Sequence, residues 1–479
     1  MIRFGSFQID PRTWLLTNDR EPVDLSPRLV EILGFIVSRG GEIVTKEELL
    51  EKFWPDVNVT ENTLTRAIAD IRKALGEEAS APKHLGTASR RGYRFISETT
   101  AVTTSDPFQE WVKDRLALDT LDATTLDETV RSFEQTVVEL PRYAPAHAGL
   151  ANGYLLQYEK TRFGSAPDRS LAECAMQAAR EATQLDPSLG EGWAVLGYLL
   201  SASGKSEEGQ AAARRATALE PNNWRHQYRL AYSAWGEERL RAVDKALALM
   251  PEFAPARMLA CMVFVARGSM ARAEQEAAIG VETQRRQRVD QTLLPAVGHH
   301  WLHGMLRGAA GDDESALAAF DEEIATATSG HVYGREFGVN AHVASGFVRL
   351  SRNDVSGASA SFARALAQDS THQKAQVGIY AVATRLGNTG AVDASRVALE
   401  SAIEELTRRG RDAEAALVSA GAQIVRGDVD QAVETLDRLL STAPAGPAGW
   451  IIPIDPMLAA VRNHPGKQAL FAKLAARAS

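Results

Sequence analysis

Between residues 62 and 94 the chain gathers side chains suited to holding polyanions. Asn62, Thr63, Arg66, Arg72 and Lys73 fall within one helical stretch, and Arg90, Arg91 and Arg94 surround Gly92. Guanidinium and ammonium groups neutralise phosphates and release their counterions. An arginine fork also matches the two major-groove acceptors of a guanine. The set therefore suits a nucleic-acid duplex. Asn62, Thr63 and Arg66 are the candidates for base edges, with phosphate as the alternative for Arg66. Arg72 and Lys73 are the candidates for phosphate contacts, which position a protein without reading sequence. Arg90 and Arg91 stand at a turn tip, where a narrow minor groove attracts guanidinium groups. Arg94 alternates with Tyr93 and Phe95, so the aromatics can pack inward while the arginine points out.

The rest of the composition is less suggestive. Formal net charge is −8, and residues 1–98 carry 14 Lys and Arg against 15 Asp and Glu. Placement favours the anion-binding reading, because the cations concentrate after residue 62 and the acids before it. Asp70 and Ala69 run the other way, in the middle of the basic helix. The plainer reading is a solvated turn and helix face.

Other tempting residues carry less. His299 and His303 stand at i and i+4 but have no acidic third ligand, and in the repeat frame described below His303 and Gly304 face a core. Cys174 and Cys261 are far apart and in helical segments, which suits inert thiols. No Walker-type loop, nucleophile elbow or paired-carboxylate motif stands out. The expectation is no enzyme, no catalytic residue, no metal and no cofactor. The N-terminus lacks an apolar signal core, and the longest apolar runs are too short to span a bilayer. A cytoplasmic protein with no membrane partner is expected.

The elements around the basic cluster read in a definite order. Short strands are expected over 2–10, 13–17 and 21–25, broken by Asp-Pro and Asn-Asp. A helix follows, capped by Ser26 with Pro27 at its first position, and Leu29, Ile32, Leu33 and Ile36 share one face. Thr45 and Glu48 form a capping box for a second helix ending before Pro55. Leu64, Ala67, Ile68, Ile71 and Leu75 make the apolar stripe of a third helix, which Gly76 stops. Two β-like runs then flank the Ser89-Arg90-Arg91-Gly92 turn, where Gly92 is read as permitting a tight turn. Strands, three helices and a hairpin are the order of a winged helix.

On these residues, "VTKEELLEKFWPD", "IRKALG" and "RRGYRF", the segment 1–98 resembles the OmpR/PhoB-type winged-helix DNA-binding domain. The resemblance implies that the third helix enters a major groove and the hairpin acts as the wing. It also implies that the loop 54–59 can be touched by RNA polymerase. Relatives often carry a phosphoacceptor domain ahead of the winged helix. None is expected here, so sensing falls to the remainder of the chain.

Residues 99–107 are Ser/Thr-rich and read as a linker. Beyond them the sequence repeats. Pro187 to Pro221 spans 34 residues, with Trp193, Leu196, Gly197 and Ala216 at the small and large positions that two packed helices need, while Gly209 and Ala213 depart from the usual Ala and Phe. Phe133 with Pro141, Ala316 with Phe320, Ala358 with Phe362, and Ala432 with Leu436 repeat parts of the pattern. The stretch 160–168 reads as an inserted loop. Residues 108–460 resemble a tetratricopeptide-repeat array of about seven to nine helix pairs, and 461–479 reads as a cap on the last repeat.

The expected fold is mainly α: a small α+β winged helix-turn-helix domain followed by an all-α tetratricopeptide-repeat solenoid. The expected function is a bacterial-type transcriptional regulator that binds double-stranded promoter DNA, with an array that senses a signal or binds RNA polymerase or another protein or peptide. A homodimer is left open. The alternative is an interaction scaffold whose winged helix does not read DNA.

Overall fold

The computed structural model describes residues 2–10, 15–19, 21–23, 25, 27–53, 61–88, 91–97, 100–101, 114, 117–118, 121–162, 167–290, 295–327 and 330–479. It divides into two compact units, Met1–Leu116 and Ala117–Ser479.

The first unit opens with an antiparallel sheet. Strands β1 (Ile2–Phe4), β2 (Phe7–Asp10), β3 (Leu15–Asn18), β4 (Glu21–Pro22) and β8 (Thr100–Ala101) lie in the order β4-β3-β2-β1-β8. The run read as one strand over 2–10 is a hairpin. Gly5 takes φ +56°, turning the chain so that Phe4 pairs with Phe7. Part of the expected linker is also strand, since Thr100 pairs with Arg3 and Ala101 with Ile2. The β-branched threonine suits an extended partner for the otherwise open edge of β1.

Helices α1 (Pro27–Ser38), α2 (Lys46–Phe53) and α3 (Glu61–Ala74) follow, with β5 (Val44–Thr45), β6 (Leu85–Ala88) and β7 (Gly92–Phe95) forming a second sheet in the order β5-β7-β6. The capping box forms as spaced. The Thr45 hydroxyl accepts from the Glu48 amide at 3.1 Å, and the Glu48 carboxylate accepts from the Thr45 amide at 2.9 Å. Ile32, Leu33, Ile36, Leu64, Ala67, Ile68, Ile71 and Leu75 are all buried, so both predicted stripes face one core. Phe4 joins the sheet to the hairpin by meeting Phe95 edge-on at 4.9 Å between ring centres. Ser26 and the loop 54–59 lie outside the described residues.

The second unit is an all-α tetratricopeptide-repeat solenoid. A leading helix, α4 (Leu126–Glu139), precedes eight helix pairs among the described residues. They are α5 (Ala144–Arg162) with α6 (Arg169–Leu185), α7 (Gly190–Ala202) with α8 (Ser206–Leu219), α9 (Trp224–Ser233) with α10 (Gly236–Leu249), and α11 (Ala254–Ala266) with α12 (Met270–Asp290). Then come α13 (His299–Ala309) with α14 (Asp313–Thr326), α15 (Gly334–Ser351) with α16 (Val355–Gln368), α17 (Gln373–Arg385) with α18 (Thr389–Arg408), and α19 (Asp412–Val425) with α20 (Val429–Thr442). Helix α5 runs on through Arg162, so the expected inserted loop is shorter at its start, and 163–166 lie outside the described residues.

Glycine on a first helix opposite phenylalanine on a second is what lets a pair close. A Cβ on Gly304 would stand 2.6 Å from the Phe320 ring, and one on Gly346 would stand 2.5 Å from Phe362. The α7/α8 pair solves the same problem without the aromatic. A Cβ on Gly197 would stand 2.8 Å from the Gly209 carbonyl, and one on Gly209 would stand 2.7 Å from the Gly197 carbonyl. Backbone meets backbone there, which explains why Gly209 and Ala213 replace the usual Ala and Phe. A further device recurs six residues after a proline. His147, Trp193 and Gln227 each donate to the carbonyl of Pro141, Pro187 or Pro221 at 2.9–3.0 Å, tying the turn to the next first helix.

First helices pack on successive first helices, as α5 on α7, α7 on α9 and α15 on α17, forming one layer of the array. The C-terminal segment does more than cap. A 3₁₀ stretch, Pro456–Asn463, packs on α13, α15 and α19, and α21 (Lys467–Arg477) reaches α11. Ile452, Ile454, Leu458 and Val461 are fully buried in the array core. Arg267 Nε donates to the Ala478 carbonyl at 2.7 Å, and Lys374 Nζ lies 2.6 Å from Asp455. The other end is also tied back. Ala123 N donates to Gly330 O at 2.7 Å and Val332 N to Leu121 O at 2.9 Å. Among the described residues no helix is long and apolar enough to cross a membrane.

Candidate nucleic-acid interface

Helix α3 presents two faces. Its buried stripe holds it in the core. Its outer face exposes Thr65, Arg66, Ala69, Asp70 and Lys73, with Thr63 half-buried. Residues 66, 70 and 73 thus form one exposed stripe along the helix. Asn62 belongs to α3, but its side chain lies outside the described residues. Among the described residues no ion pair engages Arg66, Asp70 or Lys73.

Arg72 occupies the opposite situation. It is buried, and its guanidinium donates to the Leu85 carbonyl at 2.9 and 3.3 Å and to the Thr87 hydroxyl at 2.7 Å. Its expected phosphate contact is corrected here: one turn-step from exposed Lys73, Arg72 points inward and fastens β6 to α3. Glu77, which sequence reading passed over, completes that fastening. Its buried carboxylate accepts the backbone N–H groups of Lys83, His84 and Leu85 at 2.7, 2.7 and 3.0 Å. Three donors on one carboxylate fix the chain just before the hairpin. In the sequence Glu77 is the first of two glutamates after the Gly76 stop, and nothing local distinguishes it from a solvated one. The His84 ring meets Phe4 and Phe7 edge-on, and burial lowers its pKa, against the pull of Glu77.

The hairpin carries the second group of cations. Tyr93 and Phe95 are buried and Arg94 is exposed, as their alternation predicts. Gly86 stands opposite Arg94 in the ladder. Arg91 is exposed, and its backbone is held at both ends of the turn: its N–H donates to Ala88 O at 2.9 Å, and its carbonyl accepts from Lys46 N at 3.2 Å. Arg90 and Ser89 lie outside the described residues. Gly92 is needed for a different reason from the one its position suggests. Its φ is not left-handed, but a Cβ there would stand 1.9 Å from Val44 O. Only glycine lets β5 pair this closely with β7.

The arrangement is a helix with an exposed polar stripe, a two-stranded hairpin with exposed arginines, and a buried Arg72–Glu77 framework that holds one to the other. Residues 20–95 match the family model described as transcriptional regulatory protein, C terminal. The N-terminal unit is an OmpR/PhoB-type winged-helix domain. Among curated relatives, the transcriptional activator CadC of Escherichia coli is 27% identical over 97 residues, 20% of this chain and 19% of its own length. The transcriptional regulator HilA of Salmonella typhimurium is 31% identical over 104 residues, 22% of this chain and 18% of its own. This chain thus spans under a fifth of the length of these two relatives. A tetratricopeptide-repeat protein from Parabacteroides merdae aligns over 54% of this chain and 93% of its own at 13% identity, with a TM-score of 0.36.

The tempting sites of the array resolve differently. His299 is fully buried against Gly280 and pushed down to about 3 by desolvation. His303, expected in the core, is instead half-exposed and bonds Glu274 at 2.9 Å, while Gly304 beside it faces Phe320. The two imidazoles point to different surroundings. Among the described residues no group of three His, Cys, Asp or Glu is placed to hold a metal ion. Cys261 is buried, its thiol pushed up by burial, and Cys174 is exposed.

Proposed function

We propose that this protein is a transcriptional regulator that binds double-stranded DNA through its winged helix. Helix α3 enters a major groove, where Asn62, Thr63 and Arg66 face base edges and Lys73 grips phosphate. The hairpin lies along the backbone with Arg90 and Arg91 at an adjacent minor groove and Arg94 on phosphate. Arg72 acts as a positioning residue rather than a contact. The observation that carries this reading is the family match over 20–95 together with exposed cations on both α3 and the hairpin. The array is the part that receives a signal or engages RNA polymerase or another protein or peptide, and the protein works in the cytoplasm, where its DNA is.

The test is selection of bound sequences from a random duplex pool by the full-length chain and by an Arg66→Ala, Arg91→Ala double variant, at two salt concentrations. An enriched motif that weakens with salt and in the variant supports the regulator. No enrichment at low salt refutes it and favours the scaffold reading, to which the exposed Asp70 in the α3 stripe already lends some weight.

A further inference from the structure

A cavity of about 470 Å³ lies within the array, bordered by residues of α13, α15, α17, α18 and α19. That size suits a small molecule. Part of its wall is apolar, with Trp301, Leu406, Leu417, Val418 and Ile451. Among the described residues, the ionised groups that line it balance: Lys374, Arg409 and Arg411 against Asp369, Glu405 and Glu414. Each of these cations already has a carboxylate. Lys374 lies 2.6 Å from Asp455, and Arg409 and Arg411 pair with Glu405 and Glu414. Asp369 accepts from the Thr371 amide and hydroxyl at 3.1 and 2.8 Å. The lining therefore offers no net charge to a ligand ion.

Two neutral side chains on the same wall have capacity to spare. His372 Nδ1 accepts from the Ala375 amide at 3.3 Å, which leaves the ring proton on Nε2, and Nε2 lies 3.3 Å from Asn340 Oδ1. Burial lowers the His372 pKa to about 4, so near pH 7 the neutral ring donates to Asn340. Among the described residues the Asn340 amide nitrogen then has no acceptor. Gln376, in the first turn of α17, also borders the cavity, and its buried Oε1 meets no donor. A free donor and a free acceptor thus border one cavity. A buried acceptor without a donor destabilises a fold unless something supplies one.

A hydroxyl both donates and accepts, so one uncharged group matches Gln376 and Asn340 alike. Several hydroxyls on a carbon ring or chain also suit carboxylates and guanidinium groups without adding charge, while the C–H faces pack on Trp301 and its apolar neighbours. An ion in this place would be a buried charge with no counter-charge. We propose that this cavity binds a neutral polyhydroxylated molecule of monosaccharide size, with Gln376 and Asn340 as its hydrogen-bonding residues. The proposal rests on the reading of the array as the part that receives a signal, and it names the chemical class of that signal.

The experiment is equilibrium dialysis of the full-length chain against radiolabelled D-glucose, D-ribose, myo-inositol and mannitol. Acetamide serves as the neutral amide, and sodium acetate and ethylammonium chloride as the ions. A rise in Tm is not a sufficient readout, because sugars excluded from protein surfaces raise it without binding. The expected result is saturable binding of at least one of the four polyols. Gln376→Met removes the unpartnered acceptor, and Asn340→Asp keeps an acceptor for His372 but loses the donor. Each should weaken binding at least tenfold, with circular dichroism unchanged. Should either fail to fold, Ala398→Trp, at an exposed position bordering the cavity, must weaken binding. No saturable binding of any of the four polyols to the wild-type chain overturns the proposal, the result expected if water alone satisfies Gln376. So does binding of acetamide or of an ion in their place, and so does wild-type affinity in the folded variants. Binding is read without DNA, so a winged helix that binds no DNA leaves the site standing. A polyol that binds but leaves DNA affinity unchanged refutes the signal-receiving role and not the site.

Discussion

Arg72 and Lys73 are neighbours in sequence with the same formal charge, yet the structure gives them opposite work. Replacing Arg72 by Ala removes donors to the Leu85 carbonyl and the Thr87 hydroxyl. A hydrogen bond from a charged group contributes about 1.5–3 kcal/mol, and a buried acceptor left without its donor costs about 1–3 kcal/mol. The two acceptors sit on one strand and share one guanidinium, so the effects overlap; about 3 kcal/mol for the first unit is the expected loss. Amide hydrogen exchange of the full-length chain reads this directly. Protection at Tyr93 and Phe95 should fall about a hundredfold if exchange follows opening of the unit, while the α11 amides keep wild-type rates. DNA affinity should fall, but the dependence of log affinity on log salt should keep its slope. Lys73→Ala should do the reverse. Stability stays within about 0.5 kcal/mol, and the salt slope drops by about 0.9, the loss of one phosphate contact on duplex DNA. If Arg72→Ala leaves the hairpin amides protected and lowers the slope by that amount, the inward assignment of Arg72 is wrong.

Other consequences are equally direct. Gly92→Ala places a methyl group on the Val44 carbonyl, so β5 must part from β7, and the first unit should lose about 3 kcal/mol by denaturant unfolding. Ala213→Phe restores the usual repeat residue but meets the close α7/α8 backbone approach, and it should lower array stability by about 1–3 kcal/mol. Phe362→Ala, which empties the space between Gly346 and Gly378, should cost about 3–5 kcal/mol in the same assay. His299, His331 and His372 are held neutral by burial, with pKa values lowered to about 3, about 4 and about 4. The unfolded chain binds more protons below its own histidine value of about 6.5, so array stability is full above that pH and is lost as pH falls toward about 4. Thermal unfolding between pH 7 and pH 4 should show this decline, and His331→Gln should lessen it.

What could be read from the sequence was what local chemistry determines. The Thr45–Glu48 box, the Leu64-to-Leu75 stripe and the alternation of Tyr93, Arg94 and Phe95 each report a short-range pattern, and each is present in the structure as spaced. The misreadings involve partners distant in sequence. Arg72 looked like Lys73 until Leu85 and Thr87 were brought against it. Gly92 looked like a turn glycine because the approach of Val44 is invisible from a linear neighbourhood. Glu77 carried no signal, since the three amides it accepts gain meaning only when the loop folds around it. In the array, Gly197 announced a close helix pair, but only the position of Gly209 showed why the aromatic was missing. Arg66, Arg91 and Arg94 lie exposed on α3 and the hairpin, but whether they touch DNA is decided by the binding experiment.

The returning C-terminal segment changes how the array should come apart. A repeat array with contacts only between neighbours behaves nearly one-dimensionally and can fray from either end. Here Ala478 bonds Arg267 across a separation of 211 residues, and residues 121–123 bond the stretch 330–332. Both ends are anchored in the middle. Losing a terminal repeat therefore also strips contacts from central ones, which couples the repeats into a single melting unit. It also delays completion during synthesis: Arg267, just after α11, gains this partner only once the residues around 478 have left the ribosome. Residue 479 itself lies close against the start of α10, since a Cβ at Gly236 would stand 2.7 Å from the Ser479 carbonyl.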